Sequence, residues 1–96
     1  MNKTVEIKTA RLRKALDAYF LFCNKFPDIV PSEYHEEYEN IKDRVIMMAY
    51  NEGKGCAIVP KCIVLTEKLK SGKIRSSWVK STSHHKTPEW AVVEHL

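Results

Sequence analysis

Apolar residues in the first third of the chain recur at helical spacing. Leu12, Ala15 or Leu16, Tyr19, Cys23 and Phe26 lie three or four residues apart, while Arg11, Arg13, Lys14, Asp17 and Asn24 fall on other faces. This predicts a helix between about Thr4 and Phe26, with Thr9 or Thr4 as its N-cap. Val5 and Ile7 alternate, so the first few residues also fit a short strand. Phe20, Leu21 and Phe22 widen the apolar stripe and predict burial on more than one side. Pro27 and Pro31 then disfavour helical geometry at Phe26 and Val30.

A second stripe runs through Tyr34, Tyr38, Ile41, Val45 and Met48. Ser32 is a good N-cap for this helix, and Glu33, Glu36 and Glu37 match the dipole in its first turns. The helix is expected to end near Asn51, with Gly53 in the C-terminal capping region. Two amphipathic helices joined by a short connector imply an antiparallel helical hairpin, here residues 4–52.

After Gly53-Lys54-Gly55 the period changes. Cys56-Ala57-Ile58-Val59 and Lys61-Cys62-Ile63-Val64-Leu65-Thr66 are β-branched and apolar, and Pro60 between them argues for an edge, a bulge or two separate pieces. Lys68 to Lys73, containing Ser71-Gly72, reads as a hairpin turn. Ile74, Ser76 and Trp78 would share one face of the following strand, and Arg75, Ser77 and Val79 the other. Trp78 is expected to pack on the helices, since large aromatics are mostly buried. In the C-terminal element over 87–96, Thr87-Pro88-Glu89-Trp90 has the N-cap, N1 proline and acidic first turn of a short helix, with a third strand through Val92 and Val93 as the alternative. The expected fold is α+β: the helical hairpin packed on a small antiparallel β-hairpin or sheet over 56–81, forming one domain across residues 1–96. An isolated two-stranded hairpin is marginal in water, so the halves must cover each other.

Length and composition exclude several classes. With 96 residues, 44% hydrophobic and 29% charged, the chain has room for one small core and the balance of a globular protein. The three cysteines, Cys23, Cys56 and Cys62, cannot pair fully within one chain, and disulfide-stapled secreted domains are far denser in them. The apolar run from Ala18 to Cys23 is too short to span a bilayer, and no stretch near the N-terminus has the pattern of a signal peptide. These features predict a cytoplasmic protein with reduced thiols and no membrane partner.

The net charge of +4 hides a segregation. Residues 31–53 carry a net −4, whereas residues 54–86 carry +7. Lys54, Lys61, Lys68, Lys70, Lys73, Arg75, Lys80 and Lys86 are interleaved with Ser71, Ser76, Ser77, Ser81, Thr82 and Ser83. Lysine and arginine neutralise phosphates, hydroxyls bond phosphate oxygens, and an exposed aromatic can stack on an unpaired base. Trp78 and His84 are the candidate stacking groups. The competing explanation is that lysines on an edge strand guard against sheet-to-sheet aggregation. The same basic surface would equally suit an acidic protein partner.

Catalytic and metal signatures are weak. Cys56 and Cys62 are separated by five residues, wider than a zinc knuckle, and a site joining them to His84 or His85 is not favoured over buried thiols acting as small hydrophobes. His35-Glu36-Glu37-Tyr38-Glu39 starts like a zinc-protease helix but has Glu where the second histidine is needed. Gly53-Lys54-Gly55 lacks the spacing of a phosphate-binding loop, and no Gly-x-Ser-x-Gly elbow is present. Tyr34, Tyr38, Met47 and Met48 suit either protein recognition or packing under the sheet.

The sequence therefore predicts a non-enzymatic small basic binding protein with no cofactor. It is expected to act as a regulator, inhibitor or accessory factor that contacts a larger host protein or nucleic-acid-processing complex. Its size and charge are like those of short phage or mobile-element accessory proteins. The alternative is a direct DNA- or RNA-binding accessory protein using the Lys54 to Lys86 face. Homodimerisation through the helical face or an edge strand is a weaker third expectation.

Overall fold

A computed structural model of the chain describes residues 4–59, 62–82 and 89–94. Two helices pack on one face of a four-stranded antiparallel sheet, the α+β arrangement expected from the sequence. Helix α1 spans Ala10–Lys25 and helix α2 spans His35–Asn51. The strands are β1 (Gly55–Val59), β2 (Cys62–Lys68), β3 (Ile74–Ser81) and β4 (Trp90–Val93), and their spatial order is their chain order.

Local chemistry sets most of the helix ends. Thr9 caps α1, its hydroxyl oxygen accepting from the Leu12 N–H at 3.2 Å. Helix α2 starts differently from expectation. Ser32–Tyr34 form a 3₁₀ turn without a side-chain cap, and the Tyr34 N–H donates to the Pro31 carbonyl at 2.9 Å. The fixed φ of Pro31 sets up that tight turn, and so displaces Ser32 from the capping role. At the other end α2 closes in a Schellman motif. The Lys54 N–H reaches the Ala49 carbonyl, the Gly53 N–H reaches the Tyr50 carbonyl, and Gly53 adopts φ 82°.

The helices run antiparallel. At the end of α1, Phe22 stacks on Tyr38 and Phe26 meets Tyr34 at a tilt, with ring centroids 5.3 and 4.7 Å apart. Leu12, Ala15, Leu16, Tyr19 and Phe20 of α1 and Val45 and Ala49 of α2 form the core with Ile63, Leu65 and Val79 of the sheet. Residues 5–9 form no regular element and are tied to the sheet as a strap. Val5 and Ile7 are buried, and the Val5 N–H donates to the buried Ser77 hydroxyl at 2.7 Å. The alternation seen in the sequence is thus a buried edge, held by a side chain in place of a ladder.

The last described element is a strand, the alternative that Val92 and Val93 offered, and a C-terminal helix is not supported. Trp90–Val93 pairs antiparallel with β3 through Ser81↔Trp90 and Val79↔Val92. Trp90 and Val92 alternate onto the core, and the Trp90 indole N–H donates to Asp17 of α1 at 2.6 Å. An available sheet edge and β-branched residues outweigh one turn of helix-start signals at Thr87 and Pro88, which lie outside the described residues.

Candidate binding interface

Strand register sorts the sheet residues onto two faces. Cys56, Ile58, Ile63, Leu65, Ser77, Val79, Trp90 and Val92 meet the helices and strap. Among the described residues, no helix lies on the opposite face. Across its middle run Ala57, Val64, Trp78 and Val93, one from each strand and directly aligned. Beside them lies the row Val59, Cys62, Lys80 and Ala91; on the other side lie Thr66 with Ser76, then Lys68 with Ile74. No described residue of this open face is acidic.

Trp78 therefore faces away from the helices, contrary to the expectation that it packs on them. Ser77 and Val79 take the inward positions, because their neighbours across the ladder are Leu65 and Ile63. Trp78 is half-buried among its cross-strand neighbours and presents the largest side chain of the open face.

The basic residues picked out by sequence divide into groups. Lys68 and Lys80 share the open face with Trp78. Lys70 and Lys73 project at the β2–β3 turn, where Gly72 takes φ 92° and its N–H donates to the Leu69 carbonyl at 2.9 Å. Both turn lysines are exposed. Lys61, His84 and Lys86 lie outside the described residues, as does His85.

Lys54 and Arg75 are on the helix side and are already engaged. Lys54 is only 3% exposed, and its ammonium lies 2.6 Å from Glu52 and 4.0 Å from Glu67. It is an internal ion-pair partner and lies apart from the open face. Arg75 reaches Glu67 at 3.8 Å and donates to the Thr4 carbonyl at 3.5 Å, so it ties the strap to the sheet.

Glu52 is the centre that sequence reasoning missed. It accepts from the N–H groups of Lys8 and Thr9 at 3.0 and 3.2 Å and from the Thr9 hydroxyl at 2.6 Å, besides the Lys54 ammonium. Burial alone would raise its pKa, but the bonds from Lys54, Thr9 and Lys8 overcome this and hold the carboxyl at about 2. The only signal in the sequence was an acidic residue directly before the glycine cap, which does not reveal a partner forty residues away.

The cysteines do not converge. Cys56 faces the helices and Cys62 the open face, so neighbouring strands point their sulfurs to opposite sides. Burial pushes the Cys56 thiol up to about 11. Tyr19 is buried in the core, and burial first of all, then Cys23 and Tyr38 beside its hydroxyl, push its phenol far up. The Tyr and Met patch is divided: Tyr38 stacks on Phe22 and Tyr34 packs on Phe26, whereas Met47 is exposed. Among the described residues, no helix is long and apolar enough to cross a membrane.

Comparison of the chain with family models, with curated proteins and with solved structures finds no match.

Proposed function

We propose that this chain is a non-enzymatic basic binding protein that seats the open face of its sheet on a larger protein assembly, acting as a regulator or inhibitor of nucleic-acid handling. The observation that supports this reading is the row Ala57, Val64, Trp78 and Val93 on the face opposite the helices, with Lys68 and Lys80 on the same face and no acidic residue among its described residues. Binding surfaces commonly have an aromatic anchor at the centre and charge at the rim. A partner surface with an apolar centre and a carboxylate rim would complement it.

The test is affinity capture from nuclease-treated lysate with the whole chain, its Trp78→Ala variant and its Lys68→Glu/Lys80→Glu variant. The expected result is a protein retained by the whole chain and lost by both variants, with affinity for Trp78→Ala weaker by about tenfold or more. Loss of every partner on nuclease treatment, or equal capture by Trp78→Ala, overturns it.

Direct nucleic-acid binding by the same face is the second reading. It is favoured by the Thr66 and Ser76 hydroxyls beside Trp78 and the lysines, since hydroxyls, cations and an aromatic together suit a single strand. Titration with single-stranded and duplex DNA at rising salt decides it: tight binding with a steep salt slope supports it, and a flat slope or no binding rejects it.

A further inference from the structure

The strap and the β2–β3 turn enclose a second feature. Val5 and Ile7 point into the core, so Thr4, Glu6 and Lys8 project the other way, towards the end of β2. Between them lies a cleft of about 230 Å³, lined by the basic residues Lys8, Lys68, Lys70 and Arg75 and by the carboxylates Glu6 and Glu67. That is several times the roughly 30 Å³ share of one water, enough for a small anion with part of its hydration shell.

Charge in the cleft is unevenly compensated. Glu67 is shared between Arg75 at 3.8 Å and Lys54 at 4.0 Å, one on each carboxylate oxygen. Lys8, Lys68 and Lys70 have no carboxylate within ion-pair distance among the described residues. Arg75 is oriented at the wall by the Thr4 carbonyl and Glu67, so its guanidinium is held in place before any ligand arrives. A fixed guanidinium with flexible ammonium groups around it is the donor set that recognises phosphate.

We infer that this cleft binds a phosphate group. The cleft shares Lys68 with the open face, so Lys8 and Lys70, which the open face does not use, carry the test that separates the two sites.

The test follows backbone amide resonances of the isotope-labelled full chain during titration with inorganic phosphate, against sodium chloride at matched ionic strength. The expected result is saturable shifts at Lys8, Lys68, Lys70 and Arg75 with phosphate and none of that pattern with chloride. Lys8→Glu/Lys70→Glu weakens binding roughly tenfold or more while the spectrum stays folded, and Lys8→Gln/Lys70→Gln weakens it less. A parallel arm uses oligothymidylate at equal phosphate concentration. Tighter binding there identifies a nucleic-acid backbone as the source, and binding no tighter than inorganic phosphate identifies a free phosphate or small phosphate ester. Equal responses to phosphate and chloride, or unchanged phosphate binding in the Lys8→Glu/Lys70→Glu variant, overturn the inference.

Discussion

Replacing Glu52 by Gln should destabilise this protein more than its place at a helix end suggests. Glu52 accepts from four donors and faces a lysine that is 3% exposed. Glutamine keeps a carbonyl oxygen for part of the Thr9 and Lys8 bonds but removes the charge. Among the described residues, Glu67 at 4.0 Å is then the carboxylate left beside the Lys54 ammonium. Breaking a buried pair by removing one partner costs about 3–5 kcal/mol. Proton linkage gives a similar figure, since holding a carboxyl at about 2 against an ordinary 4.5 corresponds to about 3 kcal/mol. With a urea m-value of about 1.5 kcal/mol/M, the midpoint should fall by about 2 M. The folded value lies below the unfolded one, so this stabilisation is complete above about pH 4.5 and is lost as pH falls towards 2. The gap between wild type and Glu52→Gln should therefore close across that window. Glu52→Gln/Lys54→Met removes the stranded charge and should recover part of the loss. Urea unfolding by circular dichroism at several pH values measures all of this. A Glu52→Gln cost within about 1 kcal/mol at neutral pH, or a gap that does not change with acid, refutes the account.

The two sheet faces should respond oppositely to truncation: Leu65→Ala, in the core, costs about 2–5 kcal/mol, while neighbouring Val64→Ala on the open face costs about 1 or less, as read by denaturant unfolding. Gly72→Ala forces a side chain into φ 92° and should cost about 1 kcal/mol in the same assay. Holding the Cys56 thiol at about 11 against an ordinary 9.0 lowers its thiolate fraction at pH 8 by about a hundredfold, so alkylation followed by mass spectrometry should label Cys56 far more slowly in the native chain than in urea.

Both helices were legible because their stripes repeat over several turns. Leu12, Leu16 and Tyr19, and Val45 with its half-buried neighbours Ile41 and Met48, are the residues that pack inward. The Gly72 turn and the division of β3 into two sets of alternating residues were legible for the same reason, since short-range geometry dictates both. The choice of face was harder. Both faces carry branched apolar residues, Ile58, Ile63, Leu65, Val79 and Val92 on one and Val59, Val64, Ile74 and Val93 with Trp78 on the other, so alternation alone does not say which face the helices cover. Whether β4 forms depends on a free edge of β3, which no local window contains.

Of the basic segment, the sequence by itself determined that positive charge gathers between residues 54 and 86, because composition is a property of the chain. Tertiary structure decided what each charge does. Lys54 looks like any other lysine until Glu52 and Glu67 close around it, and Arg75 becomes a tie for the strap only because Thr4 arrives from seventy-one residues away. Lys68 and Lys80 stay on an open surface with Trp78, set there by the alternation of strands and by which face the helices cover. Burial and pairing depend on distances between remote segments, and those exist only once the chain has folded.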